Sequence, residues 1–364
     1  MTRAVRRPAA LAIVLALVLG AGASLPSAAP AAATTPTIAQ LIGQKLVVAM
    51  DGTTTPSAGL LARIARGEVG GVILFGRNVT SAAEVAALTK QLHDAAANAG
   101  RPRLLIMVDQ EGGSIKRIPW APPTLTPPQM GALGSTVTAK SQGSRTGAAL
   151  KALGIDVDLA PVADVPASTA SFLYRQGRTW SFNPSTTAWL TLRFAQGLQG
   201  AGVIPTMKHF PGLGFATKNT DTTVVGIHAT ATQLAPGLRP YQLAVQNHLP
   251  LVMLSNATYY AYDSAHPAGW SPTIINGLLR TQLGFRGATI TDSLDGTAAA
   301  RGMTDAYLAE RAAAAGADMI LITGSENTSA GVFADLVAKA TSGTIPLARL
   351  QASYTRILAL KSLP

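Results

Sequence analysis

Charged and polar side chains stand at the ends of short apolar runs along this chain, a spacing that could build a polar pocket. Asp109, Asp164 and Asp292 each end such a run, and Lys208 and His209 lie near the end of another. A single Asp in this position is often a helix N-cap, but lysine and histidine are poor caps. The set therefore predicts a site that combines carboxylates, an ammonium group and an imidazole. Further polar residues at the ends of runs are Asp51, Arg77, Asn78, Ser255 and Asn256.

The composition excludes several other kinds of site. The chain has no cysteine, which excludes disulfides, thiolate metal sites and a cysteine nucleophile. Its five histidines are scattered, with no His-Glu-x-x-His motif, so we expect neither a metal nor a cofactor. The sequence also contains no Gly-x-Ser-x-Gly motif, which would indicate a serine hydrolase.

The apolar runs are rich in Val, Ile and Leu, as is typical of parallel strands that are buried on both faces. Eight runs are predicted to be strands, at residues 46–50, 71–75, 104–109, 157–164, 204–210, 251–255, 288–292 and 319–323. Helical patterns lie between and after them, at residues 82–97, 186–199, 272–283, 305–315, 329–340 and 346–361.

This alternation predicts an α/β fold, a single-domain (β/α)8 TIM-type barrel over residues 38–364. A doubly wound open sheet is the alternative, but it usually has a Gly-rich phosphate loop after its first strand, and the sequence has none. Active sites of such barrels lie at the C-terminal ends of the strands. The polar residues described above are therefore expected to meet at one rim.

Three motifs resemble glycoside hydrolase family 3. They are Asp-Gln-Glu-Gly-Gly at 109–113, Lys-His-Phe-Pro-Gly at 208–212 and Gly-Phe-Arg-Gly-Ala-Thr-Ile-Thr-Asp at 284–292. The resemblance covers residues 38–323 and is greatest to the single-domain bacterial β-N-acetylhexosaminidases. It implies release of terminal β-linked N-acetylglucosamine, or another N-acetylhexosamine, with retention of configuration, and peptidoglycan fragments as a substrate.

The resemblance also implies roles for individual residues. Asp292 matches the family's nucleophile, a carboxylate that stabilises an oxocarbenium-like transition state and then forms a glycosyl-enzyme. Asp109, Lys208 and His209 match residues that bind the sugar. Arg178 begins the segment Arg-Thr-Trp-Ser-Phe-Asn-Pro at 178–184, which resembles the family's Arg-Ser-Phe-Gly-x-Asp-Pro, and would also bind sugar hydroxyls.

The sequence departs from the family pattern at two positions of the Arg178 segment, and one acidic residue of the first motif matches no known role in the family. Trp180 and Asn183 replace the Phe and Asp that are usual in the Arg178 segment. Glu111 lies within the first motif, but the resemblance assigns it no chemistry. We therefore expect Glu111 to have a structural role.

The general acid is the part of the family pattern that this sequence lacks. Single-domain members place Asp-Ser-His after the fifth strand, and the His acts as acid/base. Here residues 221–223 are Asp-Thr-Thr, so Thr223 stands in place of that His, and a Thr hydroxyl is too weak an acid near neutral pH. Asp221 could serve directly if burial raises its pKa. Alternatively His228 reaches the site, or the protein binds sugar without cleaving it efficiently.

The first 33 residues match a secretory signal peptide. Arg3, Arg6 and Arg7 precede an apolar run at residues 9–21, and small residues follow. Removal of this segment would lower the net charge from +11 to +8. We expect a secreted monomer that acts on carbohydrate, either free outside the cell or associated with the cell wall. Clustered Lys and Arg with interleaved aromatics are lacking, so no nucleic acid partner is expected. No run is long enough to span a membrane.

Overall fold

Eight short parallel strands surround a common axis in the computed structural model, which describes residues 1, 2, 4 and 35–364. They are β1 Leu46–Ala49, β2 Gly71–Leu74, β3 Leu105–Val108, β4 Val157–Asp158, β5 Ile204–Phe210, β6 Leu251–Leu254, β7 Ala288–Thr291 and β8 Ile320–Ile322. Their order around the sheet is β7-β6-β5-β4-β3-β2-β1-β8, and a bridge between Ile290 and Met319 joins the two edges. The predicted (β/α)8 barrel is therefore confirmed.

Helices surround the strands and connect each to the next. They are α1 Ile38–Lys45, α2 Ala58–Arg66, α3 Ala82–Ala97, α4 Pro127–Leu133, α5 Thr136–Ala152, α6 Phe172–Arg175, α7 Pro184–Gly200, α8 Ala231–Leu234, α9 Arg239–Gln246, α10 Asp295–Arg301, α11 Asp305–Ala315, α12 Glu326–Thr341 and α13 Leu347–Lys361. A wider π-type helix, Thr273–Gln282, lies between β6 and β7.

The core has two layers because successive side chains of a strand point to opposite faces. In β1, Val47 and Ala49 belong to the cluster that fills the barrel, whereas Leu46 and Val48 pack outwards against the helices. Ile357 and Leu360 of α13 join the inner cluster. Helix α13 therefore contributes apolar side chains to the filling of the barrel.

Strand β4 is the element that differs most from its prediction. The apolar run predicts a strand over residues 157–164, but the regular strand is only Val157–Asp158. Pro161 has no N–H to donate to a neighbouring strand, which interrupts the regular hydrogen bonding. The chain nevertheless follows β5, because the N–H of Ala163 donates to the carbonyl of Lys208.

Asp318 holds four elements together at the start of β8. Its side chain is fully buried and accepts hydrogen bonds from Arg280 of the π-type helix, Thr289 of β7 and Arg356 of α13. The Arg280 Nη2–Asp318 Oδ2 distance is 2.6 Å and the Arg356 Nη2–Asp318 Oδ1 distance is 2.8 Å. One buried carboxylate thus balances two guanidinium groups.

Asp318→Asn is expected to lower the free energy of unfolding by about 3–5 kcal/mol, because it leaves both guanidinium groups without their anion. Chemical denaturation of the purified variant measures this loss. The matched control is Asp94→Asn, which removes an exposed pair with Lys90 and should change stability by about 1 kcal/mol or less. Equal, small losses in both variants would contradict a structural role for Asp318.

The chain divides into two units, Met1–Thr35 and Pro36–Pro364, and the second contains all the barrel strands. Apart from residues 1, 2 and 4, the predicted signal peptide at 1–33 lies outside the described residues and stays a prediction. In the part of the chain that the structure describes, no helix has the length and apolarity needed to cross a bilayer.

Candidate active site

A pocket of about 470 Å³ opens at the C-terminal ends of the strands. Ile73, Leu159, Met253 and Leu321 line it and also belong to the cluster that fills the barrel. They come from β2, the residue after β4, β6 and β8, as expected for one layer of a barrel interior, to which alternate strands contribute. The pocket therefore rests on an apolar layer, and its polar groups come from the residues after the strands and from the loops.

The structure brings together all six residues that the sequence predicts for the site. Each of them lines this one pocket: Asp109, Arg178, Lys208, His209, Asp221 and Asp292. They come from the residue after β3, the loop after β4, strand β5, the loop after β5 and the residue after β7. The placement shows which groups are neighbours, and their chemical roles stay predictions.

Asp292 is held at the end of β7 by its own backbone. Its N–H donates to the carbonyl of Leu254 at 3.0 Å, which continues the pairing of β7 with β6. Its Oδ1 accepts a hydrogen bond from the N–H of Ser293 at 2.8 Å. The side chain keeps 18% of its surface exposed, so one carboxylate oxygen is available to a molecule in the pocket.

His209 lies beside Asp292 in a fixed orientation. Its Nδ1 is 2.7 Å from Oδ2 of the buried Asp164, and the His209 N–H donates to the same carboxylate. Because Nδ1 faces the Asp164 carboxylate, Nε2 is the ring nitrogen that faces Asp292. The distance from His209 Nε2 to Asp292 Oδ2 is 3.8 Å.

Lys208 and Arg178 are bound to two carboxylates in the wall of the pocket. The Nζ of Lys208 is 2.7 Å from Asp109 Oδ1 and 2.7 Å from Glu111 Oε1. Arg178 contacts both oxygens of Glu111, at 2.8 Å from Nε and 2.7 Å from Nη2. This bidentate geometry is the strong form of an arginine–carboxylate pair.

Electrostatics favours the charged forms of Glu111 and Lys208. Burial alone would raise the pKa of Glu111, but Arg178 and Lys208 together lower this pKa to about 2. Burial alone would lower the pKa of Lys208, but Asp109 and Glu111 raise it above its ordinary value. Glu111 and Lys208 are therefore both charged near neutral pH.

Two charged residues that line the pocket, Glu111 and Arg117, are outside the predicted set of site residues. The expected structural role of Glu111 agrees with its position, since it fixes two cations, yet it also lines the pocket. Arg117 lines the pocket with a nitrogen 4.0 Å from Asp109 Oδ2. The signal was its place close behind the Asp-Gln-Glu-Gly-Gly motif, at the end of a short hairpin.

Asp221 lies in the loop after β5, and its carboxyl faces the same pocket. The residue as a whole is exposed, but its carboxyl lies in a concave site crowded by protein atoms. That burial, followed by the negative charge of Asp292, raises the pKa of Asp221 to about 6. A carboxyl with this pKa is partly protonated in weakly acidic solution.

The other candidates for the acid are placed differently. Thr223 is half-buried, and His228 is exposed and stacks on Tyr260 with ring centroids 4.3 Å apart. Within the described chain, neither of them lines the pocket. Of the donors that the sequence left open, only Asp221 lies beside Asp292.

Some polar residues at strand ends serve the loops instead of the pocket. Asp51 accepts hydrogen bonds from the N–H of Glu326 at the start of α12. Asn78 donates to the carbonyls of Gly52 and Thr53. Asn256 donates to the carbonyl of Ser293. These residues are polar because the backbone N–H and carbonyl groups of the loops at the rim need hydrogen-bond partners.

Two loops of the rim are bonded to each other. The loop after β4 donates from the N–H groups of Ala167 and Phe172 to the carbonyls of Gly214 and Ala216 in the loop after β5, at 3.1 and 2.8 Å. A Cβ on Gly214 would lie 1.7 Å from the carbonyl oxygen of Val165, so this contact requires glycine. The two loops form one continuous wall of the pocket.

Among the described residues, no group of three or more His, Asp or Glu side chains has the arrangement needed to hold a metal ion. Of the four carboxylates in the pocket, Asp109 and Glu111 are paired with Lys208 and Arg178. A carboxylate pair on an apolar floor, with fixed donors and acceptors around it, is suited to acid–base and nucleophilic chemistry on a polar molecule.

Comparison with known proteins identifies relatives of this barrel. Residues 37–360 match the family model described as the glycosyl hydrolase family 3 N-terminal domain. A secreted glycosyl hydrolase of Arthroderma benhamiae is 34% identical over 327 residues, which cover 88% of this chain and 92% of that protein.

Two solved structures are similar along most of the chain. The β-N-acetylhexosaminidase of Beutenbergia cavernae is 32% identical, with a TM-score of 0.83, and the match covers 90% of this chain and 99% of that one. The family 3 β-N-acetylglucosaminidase of Paenibacillus sp. FPU-7 is 30% identical, with a TM-score of 0.84, over 90% of this chain and 62% of that one.

Proposed function

Because the chain belongs to glycosyl hydrolase family 3 and is a glycosidase of the β-N-acetylhexosaminidase type, we propose that it releases terminal β-linked N-acetylglucosamine through a glycosyl-enzyme on Asp292. The observation that carries this proposal is that Asp292 and Asp221 line one pocket, close enough for the charge of Asp292 to raise the pKa of Asp221. Two carboxyl groups in different protonation states are what retaining hydrolysis of a glycoside requires.

In the first step, a carboxylate oxygen of Asp292 forms a bond to C1 of the sugar. The bond between C1 and the glycosidic oxygen breaks, and its electron pair leaves with that oxygen. The protonated carboxyl of Asp221 transfers its proton to the departing oxygen, which leaves as an alcohol. Asp221 is then ionised and Asp292 is esterified.

In the second step, water restores both groups. The Asp221 carboxylate accepts a proton from the water. At the same time the oxygen of that water bonds to C1, and the Asp292–C1 bond breaks. Asp292 leaves as a carboxylate and the product keeps the β configuration. Each group thus returns to its starting protonation state.

In this proposal Asp221 does the work of the family's usual His, whose place Thr223 takes according to the family resemblance. The position of Asp221 in the pocket and its raised pKa support this substitution. Asp109, Lys208, His209 and Arg178 would hold the sugar hydroxyls, since their side chains line the pocket and are already fixed by one another or by buried carboxylates.

We further propose that the protein works outside the cell, on carbohydrate such as fragments of the cell wall. The signal-peptide pattern of residues 1–33 supports export, and one relative is named as a secreted hydrolase. A net charge of +8 without that segment would favour binding to an anionic surface such as a cell wall.

The test of the function is hydrolysis of 4-methylumbelliferyl β-N-acetylglucosaminide by the purified protein, with the matching β-glucoside as a control. Proton NMR of the first product formed should show the β anomer. Release of the α anomer first would overturn retention. Binding of N-acetylglucosamine by calorimetry without hydrolysis of any glycoside would overturn the enzymatic proposal in favour of sugar binding alone.

The pH profile is expected to differ between substrates. With an alkyl β-N-acetylglucosaminide, kcat/KM should fall as pH rises above about 6, because Asp221 loses the proton that the leaving group needs. With a dinitrophenyl glycoside, whose leaving group needs no proton, kcat/KM should not fall in that range. Steady-state assays from pH 4 to 9 measure both profiles, and identical profiles would contradict the assignment of Asp221 as the acid.

A further inference from the structure

The loop that carries Asp221 lies directly on the helix that follows Asp292. Gly296, the second residue of α10, has no room for a side chain there. A Cβ on Gly296 would lie 2.3 Å from the carbonyl oxygen of Asp221 and 3.1 Å from its carbonyl carbon. Since Gly296 is four residues after Asp292, one close backbone contact links the two segments that carry the carboxylates.

A second contact fixes the same loop one residue earlier. The buried Thr297 donates from Oγ1 to the carbonyl of Thr220 at 3.2 Å. The buried Asn256, after β6, donates to Thr297 Oγ1 at 2.9 Å and to the carbonyl of Ser293 at 2.7 Å. The carbonyls of residues 220 and 221 are thus held by two consecutive residues of α10.

Few other bonds act on this part of the loop. From Pro211 to Val225 the chain forms no helix or strand, and the N–H of Asp221 bonds only to the nearby Asn219 side chain, at 3.1 Å. On either side, Arg175 Nη2 donates to the carbonyl of Thr217 at 2.7 Å, and the N–H of Thr258 donates to the carbonyl of Val225 at 3.0 Å. The contacts with α10 are thus the ones nearest to Asp221. In an enzyme, a misplacement of about 1 Å can cost about 100-fold in rate.

We propose that Asn256, Gly296 and Thr297 are positioning residues that set the Asp221 carboxyl at its working distance from Asp292. The inference rests on the proposed function, in which Asp221 is the acid/base. Gly296 lines the pocket with its backbone alone, whereas Asn256 and Thr297 are not among the described residues that line it. Their effect is on one step, proton transfer, so their loss should be visible where that step limits the rate.

The test compares Gly296→Ala and Thr297→Val with two matched controls. Thr297→Ser keeps the hydroxyl, and Gly331→Ala adds a methyl group at a helical glycine with nothing within 4 Å of the new Cβ. With an alkyl glycoside, kcat/KM should fall about 100-fold in Gly296→Ala. It should fall about tenfold in Thr297→Val, which loses the hydrogen bond to the Thr220 carbonyl and the one from Asn256. Both controls should stay near wild type.

Two further readouts separate positioning from general damage. With a dinitrophenyl glycoside, kcat/KM of both variants should stay near wild type, because the leaving group needs no proton. Azide should accelerate turnover of that substrate, since it attacks C1 and displaces the Asp292 oxygen without needing a base. Equal losses on both substrates without azide acceleration, or full activity of both variants, would overturn the inference.

Asp221→Asn is assayed in parallel to distinguish two failures. Asp221→Asn should lose activity mainly on alkyl glycosides and should be accelerated by azide. If it does so but neither Gly296→Ala nor Thr297→Val does, the positioning inference is wrong and the proposed function stands. If Asp221→Asn does not show that dependence, the assignment of the acid itself is wrong. Thermal melting of each variant identifies any that fails to fold, and Thr297→Val then replaces Gly296→Ala as the deciding variant.

Discussion

Asp292→Asn is expected to abolish nearly all turnover, with kcat lower by about 10⁴–10⁶-fold on every substrate. An amide has no charge with which to stabilise positive charge at C1, and it cannot form the glycosyl ester. The loss should be independent of the leaving group, because bond formation at C1 is required whether or not the leaving oxygen is protonated. Steady-state assays with alkyl and dinitrophenyl glycosides measure it.

A trapping experiment identifies the residue that forms the covalent bond to the sugar. A 5-fluoro N-acetylglucosaminyl fluoride slows hydrolysis of the intermediate, and peptide mass spectrometry should find the sugar on Asp292. The control is Asp51→Asn, the same chemical change at a strand end whose side chain bonds to α12, and it should keep near wild-type activity. A label on another carboxylate, or an active Asp292→Asn, would contradict the nucleophile assignment.

Asp221→Asn is expected to lower kcat/KM by about 10²–10⁴-fold on alkyl glycosides. The amide cannot donate a proton to the leaving oxygen or accept one from water. On dinitrophenyl glycosides the first step should remain fast and the second should limit, so that a burst of dinitrophenol precedes slow turnover. Rapid-mixing absorbance measurements show the burst directly.

His228→Ala is the comparison that makes this result specific. His228 is exposed and stacks on Tyr260, so its removal should leave both substrates within a few-fold of wild type. A large loss in His228→Ala with an unchanged Asp221→Asn would assign the proton to His228 instead. Small losses in both variants would contradict either residue as the acid.

The strands and their polar ends could be predicted because local patterns specify them. Runs of Val, Ile and Leu that are buried on both faces distinguish parallel strands, and all eight are present. Helices α3 and α11 match the predicted bounds, whereas α7 and α12 begin earlier than predicted. Asn183 and Ser325 cap these two helices, and their hydrogen bonds to the first turn extend each helix towards its N-terminus.

The substitutions within the Arg178 segment also have local reasons. Asn183 accepts hydrogen bonds from the N–H groups of Ser185 and Thr186, a role that Asp could fill equally well. Trp180 is buried, and its ring meets that of Phe194 edge-on at 5.8 Å. Neither departure alters the pairing of Arg178 with Glu111.

The rest of the site depends on contacts that no local pattern encodes. Glu111 becomes the anion for two cations only when β3, β5 and the loop after β4 meet at the rim. The position of Asp221 depends on Gly296, which lies 75 residues further along the chain and resembles any other helical glycine in the sequence. Loop geometry of this kind follows from tertiary packing, which sequence patterns do not report.

The bonds between the loops after β4 and β5 have a consequence for engineering. Because Phe172 and Ala216 share a backbone hydrogen bond and Gly214 lies against Val165, each segment helps to fix the conformation of the other. If only the segment with Asp221 were replaced by that of a relative, its carbonyls would no longer match the N–H groups of the loop after β4. Exchanges of specificity in this scaffold should therefore move both segments as one cassette.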